Sequence, residues 1–414
     1  MKKLEVVIVG AGQRGRGYAR YAIEHPDKVV IKAIAEPHDF YRNALAKEHN
    51  ITSARLFRDW KEVAARSKFA DAVVIATQDK MHTEPAIAFS NLGYDILLEK
   101  PMAPSESECN QIVETVKKNH TLLAVSHVLR YAPYTQKLKK IIHSGRIGDV
   151  ISIQRLEPVG YWHHAHSYVR GNWRKELNST FMLMAKSCHD LDWIRYFAEA
   201  SCKKISSFGN LKHFKKENKP DGASDRCVNC KVESNCPYSA KKIYLGMYKS
   251  GHIDWPVSYI TTDISTSGIE QALRNGDYGK CVYECDNDVV DHQVVNMEFA
   301  NAVTASFTMT AFTPFGDRKT TIFGTRGQIS YDGSKMQIYD FLTDKTETLK
   351  SDSLPSGIFS GHNGGDNGLM QHFVDAAITR DADKILSGPD ETLETHLMVF
   401  AAEKSRRTGQ VVYL

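Results

Sequence analysis

The chain has 414 residues, of which 42% are hydrophobic and 25% are charged, as in an ordinary protein of about two or three domains. The 53 lysines and arginines stand against 49 aspartates and glutamates, and this formal charge of +4 is too small to predict a nucleic-acid or membrane partner. No run of about 18 apolar residues predicts a transmembrane span. The short apolar N-terminus ends in glycines without a cleavage site, so we expect a cytoplasmic protein.

The first predicted element is a strand in LEVVIVGAG, which ends in a glycine loop and precedes a helical pattern. Gly10, Gly12 and Gly15 have the spacing G-x-G-x-x-G. The first allows a tight turn, the second lets the backbone approach a pyrophosphate, and the third lets the helix pack on the strand. The helix N-terminus adds unpaired N–H groups that favour phosphate. We predict a dinucleotide site, and a plain loop is the alternative.

The second predicted strand, VVIKAIAE, ends at Glu36. A carboxylate at this place can bind both ribose hydroxyls of NAD and would repel the 2′-phosphate of NADP. The sequence therefore predicts NAD as the cofactor. The alternative is a surface glutamate at a strand end.

Strands and helices then alternate through ADAVVIAT, YDILLEK and LLAVSHV. This alternation predicts an α/β fold with a doubly wound parallel sheet that is covered by helices on both faces. Ligands of such sheets lie at the carboxyl ends of the strands. The sequence places Glu36, Thr77, Lys100 and His127 at those ends.

The segments VVIVGAGQRG, DAVVIATQDKMH, LLEKPMAPS and HSGRIGDVISI resemble the glucose-fructose oxidoreductase and inositol dehydrogenase family, Gfo/Idh/MocA, and the resemblance covers nearly the whole chain. It implies a Rossmann NAD-binding domain over residues 1–128. It also implies a substrate-binding and oligomerisation domain over residues 129–414 with a large, open, mainly antiparallel sheet. The resemblance further implies a sugar or cyclitol substrate and assembly as a homodimer or homotetramer. The predicted cofactor contacts are Gly10, Gly12, Gln13, Arg14, Gly15, Glu36, Thr77, His82, Glu99 and Lys100.

The same resemblance implies that Lys100 contacts the reacting hydroxyl, Glu99 orients Lys100, and Pro101 sets the turn. A structural salt bridge between Lys100 and Glu99 is the alternative. His189 matches the histidine of the family, but Ala185 stands where the family usually has an aspartate four residues earlier, and alanine cannot transfer a proton. We therefore predict Lys100 and His189 as catalytic. Lys186 or another residue would replace the aspartate, and a helix-packing histidine is the alternative for His189.

The run EPVGYWHHAHSYVRGNWRKE combines histidines, an arginine and aromatic residues after a predicted strand. Polar groups beside flat aromatic faces suit a sugar, which predicts a loop at the pocket mouth. A metal site and a structural loop are the alternatives. The predicted substrate contacts are His127, Arg130, Tyr161, His164, His166, Arg170, Trp173 and Lys186.

Cys227, Cys230 and Cys236 have the spacing C-x2-C-x5-C in a hydrophilic insertion at about residues 220–245. Three thiolates can contribute to a structural zinc site, although a fourth ligand is not evident. A polar insertion with free thiols is the alternative. Farther on, the glycine-rich run around His362 and Asp366 enters a helix, and the resemblance places it near the pocket. The alternative is an ordinary helix cap.

Three functions follow from these features. The leading hypothesis is an NAD(H)-dependent oxidoreductase that acts on a hydroxyl of a sugar, glycoside or cyclitol. The second is an NAD-dependent glycosidase, similar to the N-acetylgalactosaminidases of the family, which oxidises a sugar transiently, eliminates the glycosidic bond and returns the hydride. The third is a non-catalytic NAD-binding sensor that lost its activity with the aspartate.

Overall fold

The computed structural model describes residues 3–350 and 362–414. Its first sheet has six parallel strands in the order β3-β2-β1-β4-β5-β6, the order of a Rossmann domain. Every residue of β4 and β5 is buried, as expected for strands covered on both faces. The strands are β1 (Leu4–Val9), β2 (Val29–Ala35), β3 (Leu56–Phe57), β4 (Ala72–Ile75), β5 (Asp95–Leu98) and β6 (Leu123–Val125).

Helices cover both faces of this sheet, and two apolar cores lie between the layers. The predicted alternation of strands and helices is confirmed. The helices of this region are α1 (Gln13–Glu24), α2 (Asp39–His49), α3 (Trp60–Ala64), α4 (Thr83–Asn91) and α5 (Glu106–Lys118).

The second sheet has nine strands in the order β14-β13-β12-β11-β7-β10-β9-β8-β15. Only the β10–β7 pair is parallel among its described pairs, so the predicted open, mainly antiparallel sheet is confirmed. The strands are β7 (Val150–Pro158), β8 (Cys202–Asn210), β9 (His292–Phe299), β10 (Thr304–Thr310), β11 (Lys319–Gly324), β12 (Gly327–Tyr331), β13 (Lys335–Asp340), β14 (Lys345–Lys350) and β15 (Val412–Tyr413).

One face of this sheet packs on helices and forms the largest apolar core. Burial alternates along β9 and β10, which is typical of a sheet with one covered face. The remaining helices are α6 (Pro133–His143), α7 (Tyr161–His164), α8 (Cys188–Ala198), α9 (Gly246–Lys249), α10 (Val257–Ile260), α11 (Thr266–Asn275), α12 (Gly365–Thr379) and α13 (Pro389–Thr408). None of the helices within residues 3–350 and 362–414 has the length and apolarity needed to cross a membrane.

Helix α12 returns to the first sheet after the chain has left the second. Leu369 and Phe373 are fully buried in the same core as Val6 and Ile8 of β1. The end of the chain thus completes the core of the dinucleotide-binding domain. The domain boundary near residue 128 stays a prediction.

The segment between β8 and β9 builds a separate small core around Tyr244, Ile269 and Leu273. The predicted cysteine-containing insertion at residues 220–245 is therefore only a part of a longer excursion from the sheet. A single bridge from Arg226 to Lys280 ties the cysteine-rich run to the later part of this excursion.

Candidate active site

The glycine loop at the end of β1 is shaped by two close backbone approaches. Gly10 has φ +89°, and a Cβ there would lie 2.5 Å from the Ala76 carbonyl oxygen. A Cβ on Gly15 would lie 1.8 Å from the Gly10 oxygen. Gly12 has open space where its Cβ would stand, and no side chain caps the α1 N-terminus. This cradle fits the pyrophosphate of a dinucleotide, because unpaired N–H groups face open space there.

Glu36 lies beside this loop at the end of β2 and is 9% exposed. One carboxylate oxygen accepts from the Ala11 N–H at 2.9 Å and the other from the His38 N–H at 2.8 Å. Each ionised oxygen can accept further hydrogen bonds, so the carboxylate retains capacity for ribose hydroxyls.

Lys100 follows β5 at the same edge of the sheet. Its Nζ donates to the carbonyl oxygen of Ala185 at 2.7 Å. Its backbone N–H is within hydrogen-bond distance of Glu99 Oε2 at 2.9 Å and Ser126 Oγ at 2.8 Å. The Lys100–Pro101 peptide bond is cis. The hydrogen bond to Ala185 therefore holds the Lys100 ammonium against the helical turn where the family usually has an aspartate.

Glu99 is the buried anion under this turn. It accepts from Arg14 Nε at 2.5 Å, from the Tyr18 hydroxyl at 2.5 Å and from Ser126 Oγ at 2.8 Å. Burial alone would raise the pKa of Glu99, but the positive charges of Arg14 and Lys100 outweigh it and lower the pKa to about 2. Glu99 is therefore ionised, and it orients Lys100 through the backbone.

Asp366 of α12 holds the other side of Arg14. Its Oδ1 lies 2.8 Å from Arg14 Nη2, and its Oδ2 lies 3.2 Å from His362 Nδ1. Burial would raise the pKa of Asp366, but Arg14 and His362 lower it well below its usual range. Asp366 is thus an ion-pair partner of the glycine-loop helix, and no side-chain cap bond forms at the α12 N-terminus.

His189 lies in the first turn of α8, four residues after Ala185, and is 3% exposed. Its ring centroid lies 5.7 Å from those of His127 and His362, and its Nδ1 has no hydrogen-bond partner among the described residues. Burial first, and then the charge of Lys100, lower the pKa of His189 well below its usual value. The ring is therefore neutral near pH 7, and its low pKa makes it a weak proton acceptor in the protein without ligand.

A family model described as "Oxidoreductase family, NAD-binding Rossmann fold" matches residues 4–127, and one described as "Oxidoreductase family, C-terminal alpha/beta domain" matches residues 139–414. The chain belongs to the Gfo/Idh/MocA family. The predicted resemblance, the two-part fold and the NAD-binding character of the first domain are confirmed.

Curated relatives in the family are distant. The putative oxidoreductase YteT of Bacillus subtilis is 23% identical over 63% of this chain and 59% of its own length. The 2,7-anhydro-N-acetylneuraminate hydratase of Escherichia coli is 24% identical over 50% of this chain and 53% of its own length. An inositol 2-dehydrogenase of Corynebacterium glutamicum is 31% identical over 37% of this chain and 45% of its own length. The matches thus span only about half of these relatives.

Solved structures agree over the whole chain. An oxidoreductase from Agrobacterium radiobacter, in complex with NAD+, L-tartaric acid and magnesium, has a TM-score of 0.73 at 16% identity. It covers 100% of this chain and 98% of its own. A levoglucosan dehydrogenase with NADH and levoglucosan has a TM-score of 0.70 at 17% identity, with 100% and 99% coverage. At these identities the likeness establishes the Gfo/Idh/MocA fold.

Two predicted cofactor contacts, Thr77 and His82, face each other behind the rim of the Gfo/Idh/MocA site. The Thr77 hydroxyl donates to the Met81 carbonyl at 3.1 Å. His82 is fully buried, and its ring nitrogens lie 2.7 Å from the Pro101 carbonyl oxygen and 3.2 Å from that of Thr77. The His82 ring joins the loop after β4 to the turn after Lys100, which is a positioning arrangement.

His127 and Arg130, predicted as substrate contacts, lie behind His189. His127 is fully buried, with Nδ1 3.9 Å from Asp192 Oδ2. Arg130 is 2% exposed, and its Nε and Nη2 each donate to Asp192 at 2.8 Å. Its Nη1 donates to the Leu386 carbonyl at 2.6 Å. These bonds occupy the guanidinium, so the geometry does not support a substrate role for Arg130.

A network of buried charges surrounds Lys186 on the side of the second sheet. Lys186 Nζ lies 3.7 Å from Glu157 Oε1, and Arg318 Nη2 lies 2.8 Å from Glu157 Oε2. Arg318 Nε and Arg155 Nε both donate to Asp190, at 2.6 Å and 2.8 Å. The pKa of Lys186 is lowered overall, because burial and the positive charges of Arg318 and Lys100 outweigh the opposing effect of Glu157.

Most of the predicted sugar loop is built into the interior. Its first turn is α7, and residues Ala165–Arg170 continue as a π-helix. His164 stacks on Phe214 at 5.4 Å, and His166 bonds the Tyr244 hydroxyl at 2.8 Å. Arg170 donates to the carbonyls of Lys280 and Tyr238, each at 2.8 Å.

These three side chains are each about 1% exposed and anchor the excursion between β8 and β9. Tyr161 is half-buried against Tyr238, and Trp173 packs on the large core. The structural-loop alternative accounts for the contacts of His164, His166 and Arg170, whereas the substrate roles of the half-buried Tyr161 and Trp173 stay predictions.

The cysteine cluster lines a cavity together with Arg170, and Cys281 contributes to the same wall as Cys227, Cys230 and Cys236. All eight cysteines are free thiols. Across residues 3–350 and 362–414, no group of three or more His, Cys, Asp or Glu side chains is placed to hold a metal ion. The zinc hypothesis consequently receives no support from the geometry.

Proposed function

We propose that this chain is an NAD(H)-dependent oxidoreductase that moves a hydride between the nicotinamide and a hydroxyl-bearing carbon of a sugar, glycoside or cyclitol. One observation carries the proposal. Lys100 Nζ is fixed 2.7 Å from the Ala185 carbonyl, at the edge of the sheet where the glycine loop opens and beside neutral, buried His189. A levoglucosan dehydrogenase and an inositol dehydrogenase among its relatives support this class of substrate.

Bound NAD would supply the hydride acceptor, and the open space before α1, with Gln13 and Arg14 in the first turn, would hold its phosphates. The chain's own residues then handle the hydroxyl. Lys100 would donate a hydrogen bond to the reacting oxygen and stabilise negative charge as its proton leaves. His189 would accept that proton as negative charge develops on the reacting oxygen, because a nearby negative charge raises the affinity of its neutral imidazole for a proton. Glu99 would fix the direction of Lys100 through its backbone N–H.

Cofactor choice provides a first prediction. We expect wild-type protein to bind NADH at least about tenfold more tightly than NADPH, because the Glu36 carboxylate repels a 2′-phosphate. Glu36→Gln keeps the side-chain shape and removes the charge, so it should narrow that ratio, whereas the exposed control Glu24→Gln should not. Fluorescence titration with both cofactors measures the ratio. A wild-type preference for NADPH would contradict the role of Glu36.

A second candidate is redox-assisted cleavage of a glycoside or anhydro sugar. Ala185 cannot act as the acid of an ordinary dehydrogenase pair, and anhydro-neuraminate hydratases are among the relatives. In this reaction the hydride is borrowed and returned, so no NADH accumulates. One assay separates the candidates: the protein is mixed with NAD and with free sugars, cyclitols and nitrophenyl glycosides. NADH formation alone supports the oxidoreductase, and nitrophenol release without net NADH supports the second candidate.

The cellular compartment and the oligomeric state of the protein are part of the same proposal. Eight unpaired cysteines support a reducing, cytoplasmic compartment. The resemblance to the family supports a homodimer or homotetramer, and the half-exposed face of the nine-stranded sheet is the candidate contact surface. Light scattering of the purified protein measures the number of subunits.

A further inference from the structure

The charges around Ala185 do not balance. On the second-sheet side, three cationic side chains stand against two anions within the linked contacts. The cations are Lys186, Arg155 and Arg318, and the anions are Glu157 and Asp190. On the glycine-loop side, the positive charges of Lys100 and Arg14 balance the negative charges of Glu99 and Asp366. The second-sheet side of the site therefore carries a local excess of positive charge.

Two cations of this cluster, Lys186 and Arg318, lie on its open side, whereas Arg155 is fully buried. The side chain of Lys186 is 18% exposed and that of Arg318 is 14% exposed, whereas Glu157 is 4% and Asp190 is 0% exposed. Buried carboxylates thus stand behind partly open cations. The N–H donors of Lys186 and Arg318 therefore face a ligand that enters the site.

Three groups of this cluster make no hydrogen bond among the described residues: the Lys186 ammonium and the buried Arg155 Nη2 and Glu157 Oε2. The Lys186 ammonium approaches Glu157 only to 3.7 Å. A mostly buried ammonium without acceptors is costly, whereas an ionised carboxylate of a ligand would provide strong, charge-assisted bonds. The nicotinamide of NAD cannot neutralise the Lys186 ammonium, because its oxidised ring adds another positive charge.

We infer that Lys186 and Arg318 form a subsite for an anionic substituent, and that the substrate is a sugar acid with a carboxylate beside its reacting hydroxyl. Lys100 and His189 would face the hydroxyl, and Lys186 would bind the carboxylate with its free N–H donors. Arg318 would add charge while it remains bonded to Glu157 and Asp190. This inference rests on the proposed function for the identity of the reacting hydroxyl.

The test compares matched ligands that differ only in the carboxylate. Calorimetric titrations of the NADH-bound protein use glucuronate against glucose and galacturonate against galactose. We expect at least one uronate to bind about tenfold or more tightly than its neutral counterpart. Lys186→Met should reduce that preference to about twofold or less, and Lys186→Arg should retain most of it. The control Lys204→Met removes an exposed lysine that pairs with Glu298 on the second sheet and should change nothing.

Equal affinity for every matched pair, or absence of binding by both uronates, would overturn the subsite. So would an unchanged preference in Lys186→Met. Turnover of the same ligands reports on the proposed function independently. Tight uronate binding without hydride transfer from any sugar would support the subsite and contradict the oxidoreductase proposal. Turnover of neutral sugars without a preference for uronates would support the oxidoreductase proposal and contradict the subsite.

Discussion

Replacing Lys100 with methionine is expected to lower kcat by about 10²- to 10⁴-fold, the usual contribution of a positioned proton-transfer or charge-stabilising group. Methionine keeps the length and packing of the side chain but cannot donate to the reacting oxygen or to the Ala185 carbonyl at 2.7 Å. Affinity for NAD should change only slightly, because the glycine loop and Glu36 are untouched. Steady-state kinetics and NADH titration of the same preparation measure the two effects.

Lys100→Arg is the matched control for charge. It retains the positive charge but spreads it over a planar guanidinium, so it should recover only a part of kcat. Activity of Lys100→Met above about a tenth of wild type would contradict the role of Lys100 in stabilising charge on the reacting oxygen. Wild-type protein that binds NAD but turns over no sugar, glycoside or cyclitol would instead favour the non-catalytic sensor.

Replacing Arg130 with methionine is expected to lower the free energy of unfolding by about 3 to 5 kcal/mol, because it leaves the fully buried Asp192 carboxylate without its partner. Arg146→Met is the control, since Arg146 pairs with Glu347 at the surface and should contribute about 1 kcal/mol or less. Urea unfolding of both variants, followed by circular dichroism, measures the difference.

The pH dependence of the Arg130 variant has a defined sign. Burial alone would raise the pKa of Asp192, but Arg130 outweighs it and the pKa lies below the usual value. In the wild type this pair contributes stability above about pH 4, which is lost as the pH falls. In Arg130→Met burial is opposed only by His127 and Thr395, so the pKa of Asp192 should rise, and its protonation should recover part of the lost stability on acidification. An unchanged unfolding free energy with a raised KM would restore Arg130 as a substrate contact.

The part of the candidate site that lies in the first domain could be predicted, because short stretches of the sequence specify it. Gly10, Gly12 and Gly15 lie within six residues, and the turn that follows β5 places Lys100 next to Glu99 in the chain. Backbone geometry at such turns depends on the residues of the turn itself. His189 could be placed through its resemblance, and it does lie beside Lys100.

The sugar loop shows where sequence reasoning fails. His164, His166 and Arg170 have the residue types of a polar pocket, yet each is about 1% exposed. His166 and Arg170 bond groups of the excursion between β8 and β9, and His164 stacks on Phe214. The same donors that bind a sugar also bind buried carbonyls and hydroxyls. Composition cannot distinguish the two uses, because burial depends on segments that lie far away in the chain.

Most partners of the predicted residues were missed for the same reason. Tyr18 and Ser126 hold Glu99 and were not predicted. Asp366 was placed near the pocket only through the resemblance, and its bond to Arg14, 352 residues away, was not predicted. The charged network of Glu157, Asp190 and Arg318 draws on β7, α8 and the segment before β11, and no spacing in the chain announces it.

By itself the sequence determined the fold class, the dinucleotide site and the position of Lys100, because strand periodicity, turn glycines and strand ends are short-range properties. Only the tertiary structure decided which polar residues are anchors and which face the open site. It brings the Ala185 carbonyl to Lys100, encloses Arg130 with Asp192 and places Lys186 among unbalanced charges. Burial and charge balance are properties of residues brought together from distant segments, so they exist only after the chain has folded.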